Sequence, residues 1–157
     1  MRAVVTRVSK SLLWIDGSVH AEIGQGLLVL VGVKEGDGER EAVYLAEKCA
    51  NLRIFEDESG KMNKSVYDVG GGIMAISNFT LYADCARGRR PDFFHAAKPD
   101  VAIPVYDFFL KQLKRLEVPH CAGIFGADMK IEHINDGPVT IIMDTEQMLR
   151  GVSKSTK

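Results

Sequence analysis

The sequence predicts an α+β fold: a strongly curved mixed sheet, or a partly open β-barrel, with two main helices. Short β-branched and apolar runs, separated by turn residues, fill both ends of the 157-residue chain. Helical spacing of apolar residues appears in only two stretches, which interrupt the strands, and this order is typical of α+β proteins. The length suits one domain. We place it at residues 1–145 and expect residues 146–157 to be a frayed tail.

The first third of the chain is rich in strand signals. Residues 1–10 form the first strand, because valine and other β-formers dominate them. Residues 12–23 form a hairpin around Asp16-Gly17, a dipeptide that favours tight hairpin turns. Residues 26–33, with the sequence GLLVLVGV, are apolar on both faces. They are therefore predicted to form a central strand that is covered on both sides.

Two helices are predicted from apolar spacing. The first spans residues 39–51, where one face contains Ala42, Leu45, Ala46, Cys49 and Ala50. The second begins near Pro104, since proline suits a first helical turn, and its apolar face contains Val105, Phe108, Phe109, Leu113 and Leu116.

The remaining segments are strands and loops. Residues 51–57 are predicted as a short strand, residues 57–65 as a turn-rich loop, and residues 72–83 as one long strand. Two or three strands follow the second helix, and Gly137-Pro138 is predicted to open the last of them.

Composition excludes several classes of protein. Lysine and arginine number 20 against 21 acidic residues, so a net charge of −1 offers nucleic acid no general attraction, and RNA contact requires a local patch. The three cysteines lie far apart and indicate neither a disulfide framework nor a zinc ribbon. No apolar run reaches the ~20 residues of a membrane span. We expect a soluble, cytoplasmic protein with no cofactor and no metal.

No common catalytic motif is present, and the four histidines show no metal-ligand spacing. One candidate site is the segment SNFTLYA. On an extended strand, Asn78, Thr80 and Tyr82 face one way, and Ser77 and Phe79 the other. The polar run indicates either cross-strand hydrogen bonds or a site where backbone N–H groups and hydroxyls meet a substrate carbonyl.

Two further segments also have two interpretations each. A basic loop places three arginines beside two aromatic residues: Arg87, Arg89, Arg90, Phe93 and Phe94. It is either a solvated loop or a phosphate contact, since guanidinium forks match phosphate geometry. Gly137-Pro138 is either a turn that opens a strand or an unusual backbone, for which a cis peptide is one possibility.

Taken together, these segments resemble the D-aminoacyl-tRNA deacylase family. The similarity runs from Met1 to about Thr145 and comprises, in order, MRAVVTRVS, GLLVLVGV, NLRIFEDESGKMN, SNFTLYAD, GRRPDF, FGADMK and NDGPVTIIMDT. The resemblance implies a barrel-like α+β homodimer. It also implies an enzyme that hydrolyses the ester between a D-amino acid, or glycine, and the terminal ribose of tRNA, as proofreading for translation.

The resemblance further implies a catalytic set of Ser77, Asn78, Phe79 and Thr80. Backbone N–H groups near Asn78 and Phe79 would stabilise the oxyanion, with help from the 2′-hydroxyl of the tRNA. Thr80 is a second-ranked candidate, as a nucleophile, because no base is spaced to activate it.

Substrate selection is implied for a second motif. A cis Gly137-Pro138 would reach into the partner's pocket and reject L-residues, Arg7 would hold this motif in place, and Phe125 and Met129 would lie near the pocket. Arg87, Arg89 and Arg90 would contact the acceptor end of the tRNA.

Two positions depart from the family pattern. Asn78 stands where glutamine is usual, and Asp92, which should weaken phosphate contact, stands where serine is usual. The alternative functions are an editing paralogue with shifted selectivity, a tRNA-binding module without catalysis, and a hydrolase of free D-amino acids or small esters.

Overall fold

In the computed structural model, residues 1–152 are described, the last two by their backbone alone. They form eight strands, three α-helices and a short 3₁₀ helix. The strands are β1 (Arg2–Ile15), β2 (Ser18–Ile23), β3 (Gly26–Gly32), β4 (Phe55–Glu56), β5 (Met62–Lys64), β6 (Gly72–Ser77), β7 (His120–Ala122) and β8 (Met129–Asp144). The helices are α1 (Glu39–Asn51), the 3₁₀ helix (Phe79–Tyr82), α2 (Pro99–Arg115) and α3 (Thr145–Val152).

The long strand β1 organises the sheet. Its first half pairs antiparallel with β3 and its second half with β2, while β8 runs antiparallel along the other edge of both halves. On the far side of β3, β6 and then β7 add in parallel. The result is a mixed sheet that is nearly closed into a barrel with one open seam, which confirms the predicted fold class.

The sheet has apolar side chains on both faces, as the sequence of β3 predicts. Leu27, Val29 and Val31 belong to the larger core, which includes the buried faces of α1 and α2. Leu28 belongs to a second cluster on the opposite face, together with Leu13 and Met74. Because period-two alternation sends neighbours to opposite faces, one strand contributes to both cores.

Several predicted elements are confirmed. Helix α1 has the predicted bounds and buries the five predicted side chains. The turn Asp16-Gly17 joins β1 to β2, with both residues at positive φ. Helix α2 begins at Pro99 rather than near Pro104, which lies inside the helix. Its buried face contains Tyr106 as well as Phe109 and Leu113.

The segment predicted as a frayed tail begins as a helix. Helix α3 starts at Thr145, whose N–H and hydroxyl both donate to the Met1 carbonyl. Glu146 forms an ion pair with Lys34. The rest of that segment, residues 153–157, lies outside the described residues. No helix within residues 1–152 is long and apolar enough to cross a membrane.

Candidate functional site

The first candidate motif lies where β6 ends, and its backbone differs from the prediction. Strand β6 stops at Ser77, and residues 79–82 form a 3₁₀ helix. The predicted long strand over residues 72–83, with Asn78 and Thr80 on one face, is therefore wrong. The physical reason is local, since the Asn78 side chain offers the backbone an alternative to a further ladder bond.

Asn78 caps the 3₁₀ helix. Its backbone is extended, and its side-chain Oδ1 accepts hydrogen bonds from the Thr80 N–H at 3.2 Å and from the Thr80 hydroxyl. Asparagine is among the best N-cap residues because its short amide reaches these donors. The Thr80 hydroxyl is thus paired with an amide oxygen, which is not a base.

The helix fits against β3 because Gly32 has no side chain. A Cβ at Gly32 would lie 3.1 Å from the Leu81 Cβ and 3.2 Å from the Asn78 carbonyl oxygen. A larger residue would push the 3₁₀ helix away from the end of the sheet.

The two backbone donors predicted for the oxyanion differ in availability. The Asn78 N–H donates to the Val31 carbonyl at 2.8 Å and so extends the β3–β6 pairing by one residue. The Phe79 N–H makes no hydrogen bond to any residue that the structure describes. The first N–H groups of a helix lack partners within the helix, which leaves Phe79 as the available donor of the pair.

A pocket of about 400 Å³ adjoins this turn. Its walls include five of the predicted site residues, namely Ser77, Asn78, Phe79, Phe125 and Met129. Thr80 does not line it. Among the described residues around the pocket there is no histidine, and most of the lining is apolar.

Tyr106 and Met129 shape the pocket. The Tyr106 hydroxyl donates to the Ala75 carbonyl at 2.9 Å, and burial raises the pKa of this phenol, so it stays neutral. The Tyr106 and Phe125 rings lie 6.3 Å apart. The Met129 sulfur lies 2.4 Å from where a Cβ at Gly123 would be, so a side chain at Gly123 would displace the Met129 side chain.

The second candidate motif lies within a strand rather than at its start. Strand β8 runs continuously through Gly137-Pro138, so the prediction that these residues open the last strand is wrong. The predicted cis peptide between them is confirmed. Thr6 of β1 pairs with Thr140, and Val8 pairs with Asn135. Residues 136–139 therefore form a bulge, a position where a strand tolerates proline because no ladder bond is lost.

Two side chains fix this bulge, hereafter the Gly-Pro bulge (residues 136–139). Asn135 bridges its base, since its amide accepts from the Val139 N–H at 2.9 Å and donates to the Thr140 hydroxyl at 3.0 Å. Arg7, on the neighbouring strand β1, holds the bulge through a 2.9 Å hydrogen bond from Nε to the Asp136 carbonyl.

Arg7 also ties the bulge to the body of the protein. Its side chain is buried, and Nη1 donates to the Ile54 carbonyl at 2.6 Å. Gly137 has a φ of +138°, and a Cβ there would lie 2.7 Å from the Val139 side chain and 3.1 Å from an Arg7 nitrogen. Glycine is therefore required.

The Gly-Pro bulge does not line the pocket of its own chain. Gly137 and Pro138 are exposed, and two isoleucines of the same strand, Ile134 and Ile142, are 60% and 71% exposed. Strand β8 thus presents the bulge and large apolar side chains on the surface of this chain.

The three arginines of the basic loop are exposed and lie outside the pocket. The loop is closed by reciprocal backbone hydrogen bonds between Asp84 and Asp92. Within residues 1–152, no ion pair involves Arg87, Arg89 or Arg90.

Sequence reasoning missed several lining residues. Tyr106 shares a helix face with Phe109 and Leu113, a spacing that was visible in the sequence. Val33 and Ala97 line the pocket through tertiary packing, for which the sequence has no local signal. No group of three or more metal-ligating side chains is placed to hold an ion within the described range.

The fold and the pocket define a barrel-like α+β protein whose site, with a backbone donor and no histidine among the described lining residues, suits an activated carbonyl such as an ester. Comparison with known proteins gives the family. The model of the D-Tyr-tRNA(Tyr) deacylase family matches residues 4–144. The chain belongs to this family, and it is an aminoacyl-tRNA deacylase, a hydrolase of the ester bond.

Relatives with known names are similar over most of the chain. A D-aminoacyl-tRNA deacylase of Carboxydothermus hydrogenoformans is 58% identical over 92% of this chain and 99% of its own length. That of Geobacter sulfurreducens is 53% identical, with 93% and 96% covered. A solved structure titled c-Myc DNA Unwinding Element Binding Protein is 40% identical, with a TM-score of 0.86 over 92% of this chain and 98% of that one.

Proposed function

We propose that this deacylase hydrolyses D-aminoacyl esters of tRNA, and glycine attached to the wrong tRNA, while it rejects L-aminoacyl esters. The products are the free amino acid and tRNA, and the role is proofreading in the cytoplasm. The single observation behind the catalytic part is the unpaired N–H of Phe79, a residue that lines a largely apolar pocket.

Phe79 supplies the main catalytic group in this proposal. Water adds to the carbonyl carbon of the ester. The carbonyl oxygen becomes an oxyanion, which accepts a hydrogen bond from the Phe79 N–H. The carbon–oxygen bond to the ribose then breaks, and the ribose oxygen takes the proton that the attacking water gives up, with help from the neighbouring 2′-hydroxyl of the tRNA. One such donor contributes roughly 10²–10³ in rate, and the ester is already activated, so no histidine is required.

Ser77, Asn78 and Thr80 position the Phe79 N–H and do not react with the substrate in this proposal. Ser77 ends β6, and Asn78 fixes the turn that presents the Phe79 N–H. In this proposal Thr80 is not the nucleophile, because its hydroxyl donates to Asn78 and no base among the described residues contacts it.

Chirality is selected by the Gly-Pro bulge of the partner subunit. Gly137 and Pro138 at its tip are exposed, and the bulge lies outside its own pocket and is fixed by Arg7 and Asn135. Inserted into a partner's pocket beside Phe125 and Met129, its backbone carbonyls would accept the substrate's α-amino group. They would leave no volume for an L side chain. A D side chain points the other way, and glycine has none to exclude.

The exposed apolar side chains of β8 support the homodimer. Ile134 and Ile142 are largely exposed in the single chain, and large exposed apolar side chains near a functional segment favour an interface. The dimer would bury them and bring each bulge to the other subunit. Arg87, Arg89 and Arg90 would contact the phosphates of the acceptor end, since they have no ion-pair partners among the described residues.

Substitution of Phe79 tests the catalytic proposal. Proline at the first position of a helix is tolerated and removes the N–H, and Asn78 already has the extended backbone that precedes proline. Phe79→Pro should reduce the hydrolysis rate of D-Tyr-tRNA by roughly 10²-fold or more. The matched control Phe79→Ala removes the ring but keeps the N–H and should retain most of kcat. A folded Phe79→Pro variant that is as active as Phe79→Ala would refute the oxyanion role.

A further inference from the structure

A second concave surface adjoins the pocket. This groove, of about 510 Å³, is lined by Arg90, Pro91, Asp92, Phe93, Phe94, Ala96 and Lys98, and we call it the Phe94 groove. Phe94 is 89% exposed, which is the highest value among the large apolar side chains of the described chain. A single exposed apolar residue is ordinary and does not by itself indicate a binding site. The residues around Phe94 give it significance.

The backbone around Phe94 is tied down on both sides. Asp92 is paired with Asp84 before it, and its carboxylate accepts the Phe94 N–H at 3.3 Å. After it, Ala96 pairs with Lys34 and the Ala97 N–H donates to the Val33 carbonyl. Phe94 is therefore presented from an ordered segment between two backbone bridges, and its exposure is not that of a loose loop tip.

The lining of the groove contains two positive side chains and one negative side chain. Arg90 and Lys98 are exposed, and neither takes part in an ion pair within residues 1–152. The one acidic residue of the lining, Asp92, opposes phosphate binding, but Arg90 and Lys98 outnumber it. An exposed aromatic ring flanked by two unpaired cations matches the base and phosphate of a single-stranded nucleotide.

One pair of aromatic rings separates the groove from the pocket. The Phe93 ring packs edge-to-face on the Phe79 ring, with centroids 5.1 Å apart, and Phe79 lines the pocket while Phe93 lines the groove. A ligand whose ester lies beside Phe79 would extend across this pair of rings to reach Phe94.

We propose that the Phe94 groove binds the unpaired nucleotide that precedes the aminoacylated one, with its base stacked on Phe94 and its phosphate held by Arg90 and Lys98. This inference rests on the proposed function, which places the aminoacyl ester in the adjoining pocket. It assigns to the groove the recognition of a single-stranded RNA end, as distinct from the amino acid.

The test compares two substrates that differ only in the upstream nucleotides, D-Tyr-tRNA and 3′-O-(D-tyrosyl)adenosine. Phe94→Ala should lower kcat/KM for D-Tyr-tRNA by about 5-fold or more, the weaker end of base–aromatic stacking. It should leave the adenosine ester unaffected. Phe94→Trp keeps a stacking face and should stay near the parent. The control Met62→Ala removes another exposed apolar side chain, outside the groove, and should change neither substrate.

Each other outcome has a distinct meaning. Equal loss on both substrates, or loss on neither, overturns the groove proposal. A change in the dimer dissociation constant of Phe94→Ala, measured by sedimentation, would assign the ring to a contact between subunits and overturn it as well. If the parent enzyme cleaves neither substrate, the proposed function fails; if it cleaves both and Phe94→Ala is silent, only the groove proposal fails.

Discussion

Arg7→Met tests whether the anchored Gly-Pro bulge selects the hand of the substrate. The guanidinium of Arg7 is buried and donates to the carbonyls of Ile54 and Asp136, at 2.6 and 2.9 Å. Methionine retains a long apolar side chain, so packing is largely kept while both donors are lost. Glu56 lies 3.9 Å away but is 59% exposed, so this pair adds little.

These contacts determine how much stability and how much discrimination the substitution removes. Hydrogen bonds from a charged donor contribute about 1.5–3 kcal/mol each. Part of this loss is offset, because the variant no longer has to bury a charged guanidinium. We expect the free energy of unfolding to fall by roughly 2–4 kcal/mol, which an ordinary domain survives. Of the two Arg7 hydrogen bonds, only the one to Asp136 reaches the bulge, and its loss corresponds to a decrease of roughly 10- to 150-fold in discrimination.

The assay is the ratio of single-turnover rates on D-Tyr-tRNA and L-Tyr-tRNA, with urea unfolding to confirm that the variant is folded. Arg53→Met is the matched control, because Arg53 donates to the Asn63 carbonyl at 2.7 Å on the exposed surface. The control should keep the parent ratio. A folded Arg7→Met variant with an unchanged ratio would refute the idea that this anchor sets chirality.

Three further predictions concern other sites. Asn78→Ala removes the cap, worth about 1 kcal/mol, and should lower kcat several-fold, whereas Asn78→Ser should restore it; equal rates would contradict a positioning role. Replacing Arg89 and Arg90 by alanine should reduce the slope of log binding constant against log salt by about 0.7 per lost phosphate contact on a single strand, measured by tRNA binding over a KCl series, and an unchanged slope would indicate a solvated loop. Burial raises the pKa of the Cys49 thiol to about 12. At about pH 8 a disulfide reagent should therefore modify the exposed Cys85 and leave Cys49 protonated and protected until the protein unfolds. Rapid modification of Cys49 in the native protein would contradict its burial.

The parts of the fold that local patterns determine were predictable. Helix α1 was found with its bounds, because the spacing of Ala42, Leu45 and Cys49 has one periodicity and no competing interpretation. The hairpin turn at Asp16-Gly17 and the two-faced strand β3 followed from equally local chemistry. The family resemblance added the cis peptide of Gly137-Pro138, which composition and spacing leave open.

The errors arose where tertiary contacts decide. Alternation of polar and apolar residues from Ser77 to Tyr82 matches a strand, yet the Asn78 cap and the space left by Gly32 allow a 3₁₀ helix. The position of the Gly-Pro bulge depends on its register with β1. That register has no signature in the bulge itself, which is why the motif was expected at the start of a strand.

Availability of the backbone donors was likewise invisible in the sequence. The Asn78 N–H is used by the Val31 carbonyl of β3, and only the pairing of two distant strands reveals this. The same pairing leaves Phe79 as the first residue past the ladder.

Mixed dimers test the central claim, a site built from the pocket of one subunit and the Gly-Pro bulge of the other. Phe79→Pro subunits lack a working pocket but have an intact bulge, and Arg7→Met subunits have the reverse. When Phe79→Pro is added in large excess to Arg7→Met and the subunits exchange, nearly every working pocket faces an intact bulge. We expect hydrolysis of L-Tyr-tRNA to fall close to the parent level while hydrolysis of D-Tyr-tRNA persists. If hydrolysis of L-Tyr-tRNA stays at the level of Arg7→Met alone, the bulge acts within its own chain and the claim is wrong.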